Sequence, residues 1–96
     1  MDFTAHRLRT GTVTEATREG NALHLRVDLG GDLRTATANI TERYAPEDML
    51  GRPVVVVLDP PGGAPGEVIV LAAVSAEHGA VLLRPDAPVP DGSVVV

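Results

Sequence analysis

The 96-residue sequence contains neither cysteine nor lysine, and it has no long apolar run. Without cysteine there is no disulfide framework and no thiolate chemistry, which is compatible with a reducing compartment. No stretch approaches the roughly 18 to 20 consecutive apolar residues of a membrane-spanning helix. The first ten residues also lack the apolar centre of a signal peptide. We therefore expect a cytoplasmic protein that forms a single domain over residues 1–96.

Side-chain patterns for catalysis or metal binding are missing as well. Neither of the two serines lies in a Gly-x-Ser-x-Gly motif, and the three histidines have no spacing that places metal ligands on one face. His24 alternates with apolar residues, so a solvated surface histidine is the simpler interpretation. The adjacent Glu47 and Asp48 suit the first turn of a helix, where the helix dipole favours acids. The sequence predicts a binding protein with no catalytic, metal or cofactor site.

Aromatic residues and net positive charge are also scarce. Phe3 and Tyr44 are the only aromatic residues, so a platform for stacked bases is thin. The net charge of −5 argues against a strongly basic nucleic-acid binder. Residues 1–34 nevertheless carry five arginines against five acids. Arginine suits phosphate contacts, although biased codon usage is the simpler explanation of a lysine-free chain. Any nucleic acid would have to be recognised by shape and backbone.

The first forty residues carry the pattern of three antiparallel strands. Apolar and polar residues alternate over residues 22–29, the period of a half-buried strand. The Gly-Gly-Asp sequence that follows predicts a hairpin turn into a strand at 33–41. Upstream, residues 6–19 predict one long strand. Leu8 and Val13 are an odd number of residues apart, so we place a β-bulge at Gly11 between them.

A single short helix is predicted after these strands. Pro46 suits a first-turn position, and two acids follow it. Met49 and Leu50 are expected to face the core, and Gly51 to end the helix. The helix therefore spans one or two turns.

The remaining chain predicts apolar strands at 53–58, 67–74 and 80–84, separated by loops rich in proline and glycine. Five strands with a helix between the third and fourth predict an all-β OB-fold, a five-stranded Greek-key barrel, with a C-terminal strand and tail. We place the barrel at about 6–75 and the extension at about 80–96. An SH3-like barrel or a small sandwich also fits the strand count, but the helix position favours the OB-fold.

Six segments occur in the order found in one known family. They are Arg9-Thr10-Gly11, Asp28-Leu29-Gly30, Thr37-Ala38-Asn39-Ile40-Thr41, Tyr44 to Gly51, Gly66 to Leu71, and Val81 to Gly92. The last segment matches Val-Leu-Leu-x-Pro-Asp-x-Pro-Val-Pro-x-Gly almost residue for residue. With these segments the chain resembles the tRNA-binding-domain family, the OB-fold module of bacterial methionyl-tRNA synthetases and of CsaA-type secretion chaperones.

The chain departs from this family's pattern at two places beside one loop. Leu58-Asp59 stands where the family commonly has Asn-Phe, and Gly66 stands where it has Ser. These differences remove two polar side chains and add an acid next to the loop at 59–66.

The resemblance implies a homodimer in which the segment after the barrel joins two OB-folds. Val94, Val95 and Val96 would then be buried against the second subunit; the alternative is that they pack on their own barrel. The residues expected at the dimer interface are Leu82, Leu83, Pro88, Val89, Pro90, Val94, Val95 and Val96.

Three functions remain open. The first is non-catalytic tRNA binding by a homodimer, with phosphates contacted by Arg7, Arg9, Arg26 and Arg34 and a hydrogen bond from Asn39. The second is a CsaA-type chaperone that binds unfolded or exported polypeptides around Tyr44 and Met49. The third is an accessory subunit that docks on a synthetase.

Overall fold

The structure, a computed structural model, describes residues 7–96, so the predicted start of the first strand at His6 lies outside the described residues. The elements of the described chain follow one another as three strands, one helix and four strands. In chain order they are β1 (Leu8–Glu19), β2 (Ala22–Asp28), β3 (Leu33–Ala38), α1 (Pro46–Met49), β4 (Pro53–Leu58), β5 (Val68–Val70), β6 (Ala72–Ser75) and β7 (Gly79–Leu82). No helix among residues 7–96 is long and apolar enough to cross a membrane.

Five strands form a nearly closed barrel in the order β3-β2-β1-β4-β5, with antiparallel neighbours throughout. The barrel closes where the strand at Thr35 meets Glu67 in a parallel bridge. There the Thr35 N–H donates to the carbonyl oxygen of Gly66 at 3.3 Å. This strand order, with α1 between β3 and β4, confirms the predicted all-β OB-fold.

The long first strand bends at a different residue from the one predicted. The register between β1 and β2 shifts between Val13 and Glu15, so the bulge lies there and the prediction at Gly11 is wrong. Gly11 is needed for a different reason. A Cβ at this position would lie 2.7 Å from Val27 Cγ1 and 2.6 Å from Leu29 Cδ2, so the core packs directly on the backbone. The side chains of Leu8 and Val13 point to opposite faces of β1, and both residues are apolar because β1 is covered on both faces.

The interior of the barrel is filled by aliphatic side chains from all five of its strands, with Met49 of α1 fully buried among them. Leu50, predicted to face the core, is instead 57% exposed. The helix has only four residues, and the backbone at Leu50 is already extended, which turns its side chain outward. Gly51 follows in the left-handed region at φ 76°, as expected for the residue that ends a helix.

The predicted strand at 67–74 is divided at Leu71. Its first half, β5, belongs to the barrel, whereas β6 pairs with β7 in a separate hairpin. Leu71 is the junction: its N–H donates to the Val55 carbonyl at 2.9 Å and its carbonyl accepts from the Leu83 N–H at 3.1 Å. The barrel strands therefore end at Val70, and the separate hairpin starts at Ala72.

After the hairpin, the tail returns to the first half of β1. The Gly92 N–H donates to the Thr10 carbonyl at 2.8 Å, and the Thr10 N–H donates to the Ser93 carbonyl at 3.0 Å. The Val95 N–H adds a bond to the Leu8 carbonyl at 3.1 Å. The tail backbone is thus paired with its own barrel, which satisfies groups that β1 would otherwise expose.

The side chains of the three terminal valines are less well covered than their backbone. Val94 is 51% exposed, Val96 is fully exposed and Val95 is half-buried. Their burial against a second subunit stays a prediction.

Candidate functional site

The outer surface of β2 and β3 forms a polar face, named here the strand face. Its side chains alternate with the core residues along the two strands, so they point away from the barrel. It consists of His24, Arg26, Thr35, Thr37 and the residue after β3, Asn39, all of them exposed. A shallow depression of about 280 Å³ lies over its β1 side.

The charges of the strand face are paired only loosely. Arg26 Nε lies 3.5 Å from Glu15 Oε2, and His24 Nε2 lies 3.5 Å from Glu19 Oε2. His24 Nδ1 also lies 3.2 Å from the Thr37 hydroxyl. Exposed pairs of this kind contribute little to stability, because water screens both partners. The guanidinium of Arg26 is therefore accessible to an anion from solvent.

Arg34 lies on the opposite side of β3 from this face. Its register partner on β2 is Val27, a core residue. Arg34 lies at the end of the barrel where β1 and β3 begin and β4 ends. Its Nε donates to both carboxylate oxygens of Asp32 at 3.0 Å, and its Nη1 lies 3.8 Å from Asp59 Oδ1. The hydrogen bond to Asp32 raises the pKa of Arg34, helped by the charges of Asp32 and Asp59 and opposed by burial.

The other two predicted cations lie near the same end of the barrel. Arg9 is half-buried near the start of β1, opposite Val56, and its Nη1 donates to the Leu8 carbonyl at 3.2 Å. Arg7 precedes β1 and is exposed. The structure thus brings Arg26 and Asn39 to one face and places Arg7, Arg9 and Arg34 elsewhere.

The two residues predicted to bind polypeptides, Tyr44 and Met49, are both buried. Met49 has no exposed surface, and Tyr44 is 8% exposed. The Tyr44 hydroxyl accepts a hydrogen bond from the Leu82 N–H at 3.0 Å, and the Arg52 guanidinium lies 5.1 Å from the ring centroid. Both side chains are therefore covered in this structure, and a peptide site around them stays a prediction.

An apolar groove does exist, between β1, Val55 of β4, the junction at Leu71 and the tail from Leu83 onward. This tail groove has a volume of about 740 Å³. Its apolar lining is Leu8, Val55, Leu71, Leu83, Pro85, Val89, Val94, Val95 and Val96. Five of the predicted interface residues, Leu83, Val89 and the three terminal valines, are in this set.

The remaining predicted interface residues are not part of the lining of the tail groove. Leu82 packs against the barrel core, Pro88 lines a neighbouring polar cleft, and the Pro90 carbonyl accepts hydrogen bonds from Thr10 and Ser93. Sequence reasoning missed four residues of the apolar lining: Leu8, Val55, Leu71 and Pro85. The sequence signal for Leu8 is its odd spacing from Val13. This spacing places the two apolar side chains on opposite faces of β1, which indicates that a second face of the strand is covered.

Among residues 7–96, no three His, Asp or Glu side chains are grouped to hold a metal ion. The Asp48 carboxylate accepts a hydrogen bond from the Ala45 N–H at 2.9 Å and so caps α1. Asp48 therefore serves the helix N-terminus, and Glu47 lies in the same first turn, as the simpler interpretation has it.

The chain is similar in sequence to a segment of methionine–tRNA ligases. No family model matches the chain. The methionine–tRNA ligase of Flavobacterium johnsoniae is 36% identical over 101 aligned residues, which cover 98% of this chain. The chain spans only 14% of the length of that relative.

Solved structures give matches of similar length to this chain. The chaperone CsaA of Bacillus anthracis superposes with a TM-score of 0.82 at 36% identity, covering 93% of this chain and 89% of that one. The CsaA chaperone protein of Picrophilus torridus superposes with a TM-score of 0.74 at 25% identity, covering 93% of this chain and 90% of that one. The similarity therefore extends over the barrel and its C-terminal extension together.

Proposed function

Because the chain belongs to the tRNA-binding-domain family, to which the CsaA chaperones and a segment of methionine–tRNA ligases are related, we propose that it binds tRNA as a non-catalytic homodimer in the cytoplasm. It recognises folded RNA by shape and backbone. The observation that carries the proposal is the strand face, an uncovered polar surface on the side of the barrel where OB-folds bind oligonucleotides.

The composition of the strand face favours contacts to phosphate and ribose over base stacking. It offers one guanidinium from Arg26, an imidazole from His24, and the polar groups of Thr35, Thr37 and Asn39. The one aromatic side chain among the described residues, Tyr44, is buried. Without an aromatic platform, a bound RNA has to be held through its backbone and its shape.

The tail groove supports the homodimer. Its lining is largely apolar, and Val94 and Val96 expose their side chains beside it although hydrogen bonds already fix the tail backbone. Because the tail backbone is already ordered, the tail loses little conformational entropy on docking. Each valine that becomes buried contributes about 1.5 kcal/mol before ordering costs. In a two-fold pair, the valines of each subunit pack against the groove of the other.

A dimer would also strengthen the binding of RNA. Once one strand face of a dimer has bound an RNA molecule, the second strand face binds the same molecule in an intramolecular step. The effective concentration for this step is high. This compensates for the modest affinity of a face that carries a single arginine and two nearby glutamates.

A chaperone function is the second candidate, favoured by the similarity to CsaA chaperones and by the tail groove. An extended polypeptide would occupy this groove with its apolar side chains. The site would be the groove around Leu71 and Leu83, since Tyr44 and Met49 are buried.

A titration of unfractionated tRNA, followed by fluorescence anisotropy, tests the proposal. For two to four phosphate contacts, affinity should fall by about 10- to 100-fold between about 50 and 200 mM salt. No binding at the lower salt concentration would contradict RNA binding. Binding of an unfolded polypeptide under the same conditions would then favour the chaperone function.

A further inference from the structure

Arg34 lies between two carboxylates that do not contact it in the same way. Asp32 makes a close fork: both of its oxygens lie 3.0 Å from Nε, and Oδ2 lies 3.0 Å from Nη2. Asp59 makes one contact, 3.8 Å from Nη1, which is longer than a hydrogen bond. Asp32 therefore orients the guanidinium, whereas Asp59 acts on it through charge alone.

One edge of the guanidinium has donors to spare. No hydrogen bond within residues 7–96 uses Arg34 Nη1, although the side chain is 22% exposed. The facing Asp59 carboxylate is 78% exposed and can be displaced into water at little cost. An anion with tetrahedral oxygens can reach Nη1 from solvent while Asp32 keeps its fork.

The backbone fixes Asp59 beside this edge. Asp59 is the one residue other than glycine with a left-handed conformation among residues 7–96, at φ 48°. The next residue, Pro60, is buried, and its carbonyl accepts the Gly63 N–H at 3.0 Å in a turn. Aspartate and asparagine tolerate the left-handed region better than other side chains. Replacement by asparagine therefore removes the charge without disturbing the turn.

We propose that Arg34 Nη1 is a phosphate-binding position for RNA and that Asp59 lowers the affinity of this position by competing for it. The inference rests on the proposed function. A phosphodiester oxygen and the Asp59 carboxylate are both attracted to the same edge of the guanidinium, and they repel each other. Binding of the phosphate displaces Asp59 and leaves the pair of Arg34 with Asp32 intact. Asp59 thereby sets how tightly the end of the barrel holds RNA.

The test compares Asp59→Asn with Glu77→Gln in the full chain. Both substitutions make the net charge one unit less negative, but Glu77 lies in the turn of the β6–β7 hairpin, outside the barrel sheet. For Asp59→Asn, tRNA affinity at about 50 mM salt should rise by about 5- to 10-fold, and the salt dependence should steepen by about one phosphate contact. For Glu77→Gln the change should stay below about 2-fold, since screening weakens distant charges.

A third variant assigns the gain to Arg34. Adding Arg34→Gln to Asp59→Asn should abolish the increase, with the unfolding midpoint measured in parallel to confirm that the double variant is folded. Equal affinities for Asp59→Asn and Glu77→Gln would overturn the inference while leaving tRNA binding itself intact. If the unsubstituted chain does not bind tRNA but Asp59→Asn does, the proposed function fails for the natural sequence and the inference stands. If none of the variants binds tRNA, both fail.

Discussion

The phenolic oxygen of Tyr44 accepts a hydrogen bond from the backbone N–H of Leu82 at 3.0 Å, which ties the β6–β7 hairpin to the barrel. Tyr44 comes from the turn that precedes α1, and Leu82 is the last residue of β7. The two are 38 residues apart in sequence, so this bond spans the junction at Leu71. It fixes the end of the hairpin next to Leu83, a residue that lines the tail groove.

Replacement of Tyr44 by phenylalanine should destabilise the chain by about 1 to 2 kcal/mol, because the Leu82 N–H loses its acceptor in a partly buried position. The ring and its contact with Arg52 are retained. The free energy of unfolding from urea denaturation measures the effect. As a control, Thr17→Val removes an exposed hydroxyl from β1 and should change stability by less than about 0.5 kcal/mol. Equal effects of the two substitutions would contradict a tethering role for Tyr44.

Replacement of Arg26 by glutamine should weaken tRNA binding by about 3- to 10-fold at low salt and reduce the salt dependence by about one phosphate contact. Arg26 is the one arginine on the strand face, and its partner Glu15 lies at 3.5 Å. The matched control is Arg43→Gln, which removes an exposed arginine from the turn before α1. If both variants lose affinity equally, the effect is one of net charge and the strand face is not the binding surface.

Replacement of both Val94 and Val96 by serine should shift the chain from dimer to monomer, because the exposed apolar rim of the tail groove is lost. The backbone bonds from residues 93 and 95 to β1 are not altered by these substitutions. Sedimentation equilibrium gives the mass. The control is Val74→Ser, which changes a 78% exposed valine of β6 outside the groove and should leave the dimer unaffected. A monomeric unsubstituted chain would refute the homodimer outright.

The order of elements was predictable because each signal is local. Each of three signals depends only on residues close in sequence: the alternation at 22–29, the Gly-Gly-Asp turn, and Pro46 at the start of a helix. The elements β2, β3 and α1 form at these positions. The apolar strand at Pro53–Leu58 was bounded correctly by proline and loop. Together with the barrel order, these elements suffice to identify the OB-fold.

Features that depend on contacts across the fold could not be predicted in the same way. Residues 67–74 read as one apolar strand, since local sequence does not show that the Leu71 N–H bonds to Val55 of the barrel while the Leu71 carbonyl bonds to Leu83. Nothing in the sequence around Gly11 indicates that the side chains of Val27 and Leu29 approach its backbone closely. The odd spacing of Leu8 and Val13 predicts a bulge when only near neighbours are considered. The residues that cover the second face of β1 lie about 80 positions later in the chain, as Pro90 does relative to Thr10.

The candidate site was predictable only in part, for the same reason. The alternation of β2 placed Arg26 outward, and the alternation of β3 placed Asn39 on the same side. The pairing of Arg34 with Asp59 joins residues 25 positions apart and appears only once the fold brings the start of β3 to the end of β4. The burial of Tyr44 depends likewise on the hairpin that covers it.

Backbone amide chemical shifts of the isotopically labelled chain, recorded during titration with tRNA, test the central claim most directly. The strand face predicts that the largest shift changes fall on β2 and β3, at Arg26, Thr35, Thr37 and Asn39, with smaller changes at Arg34. Changes confined to the tail groove, at Leu71, Leu83 and Val89, would contradict the claim that RNA binds on the outer face of the barrel.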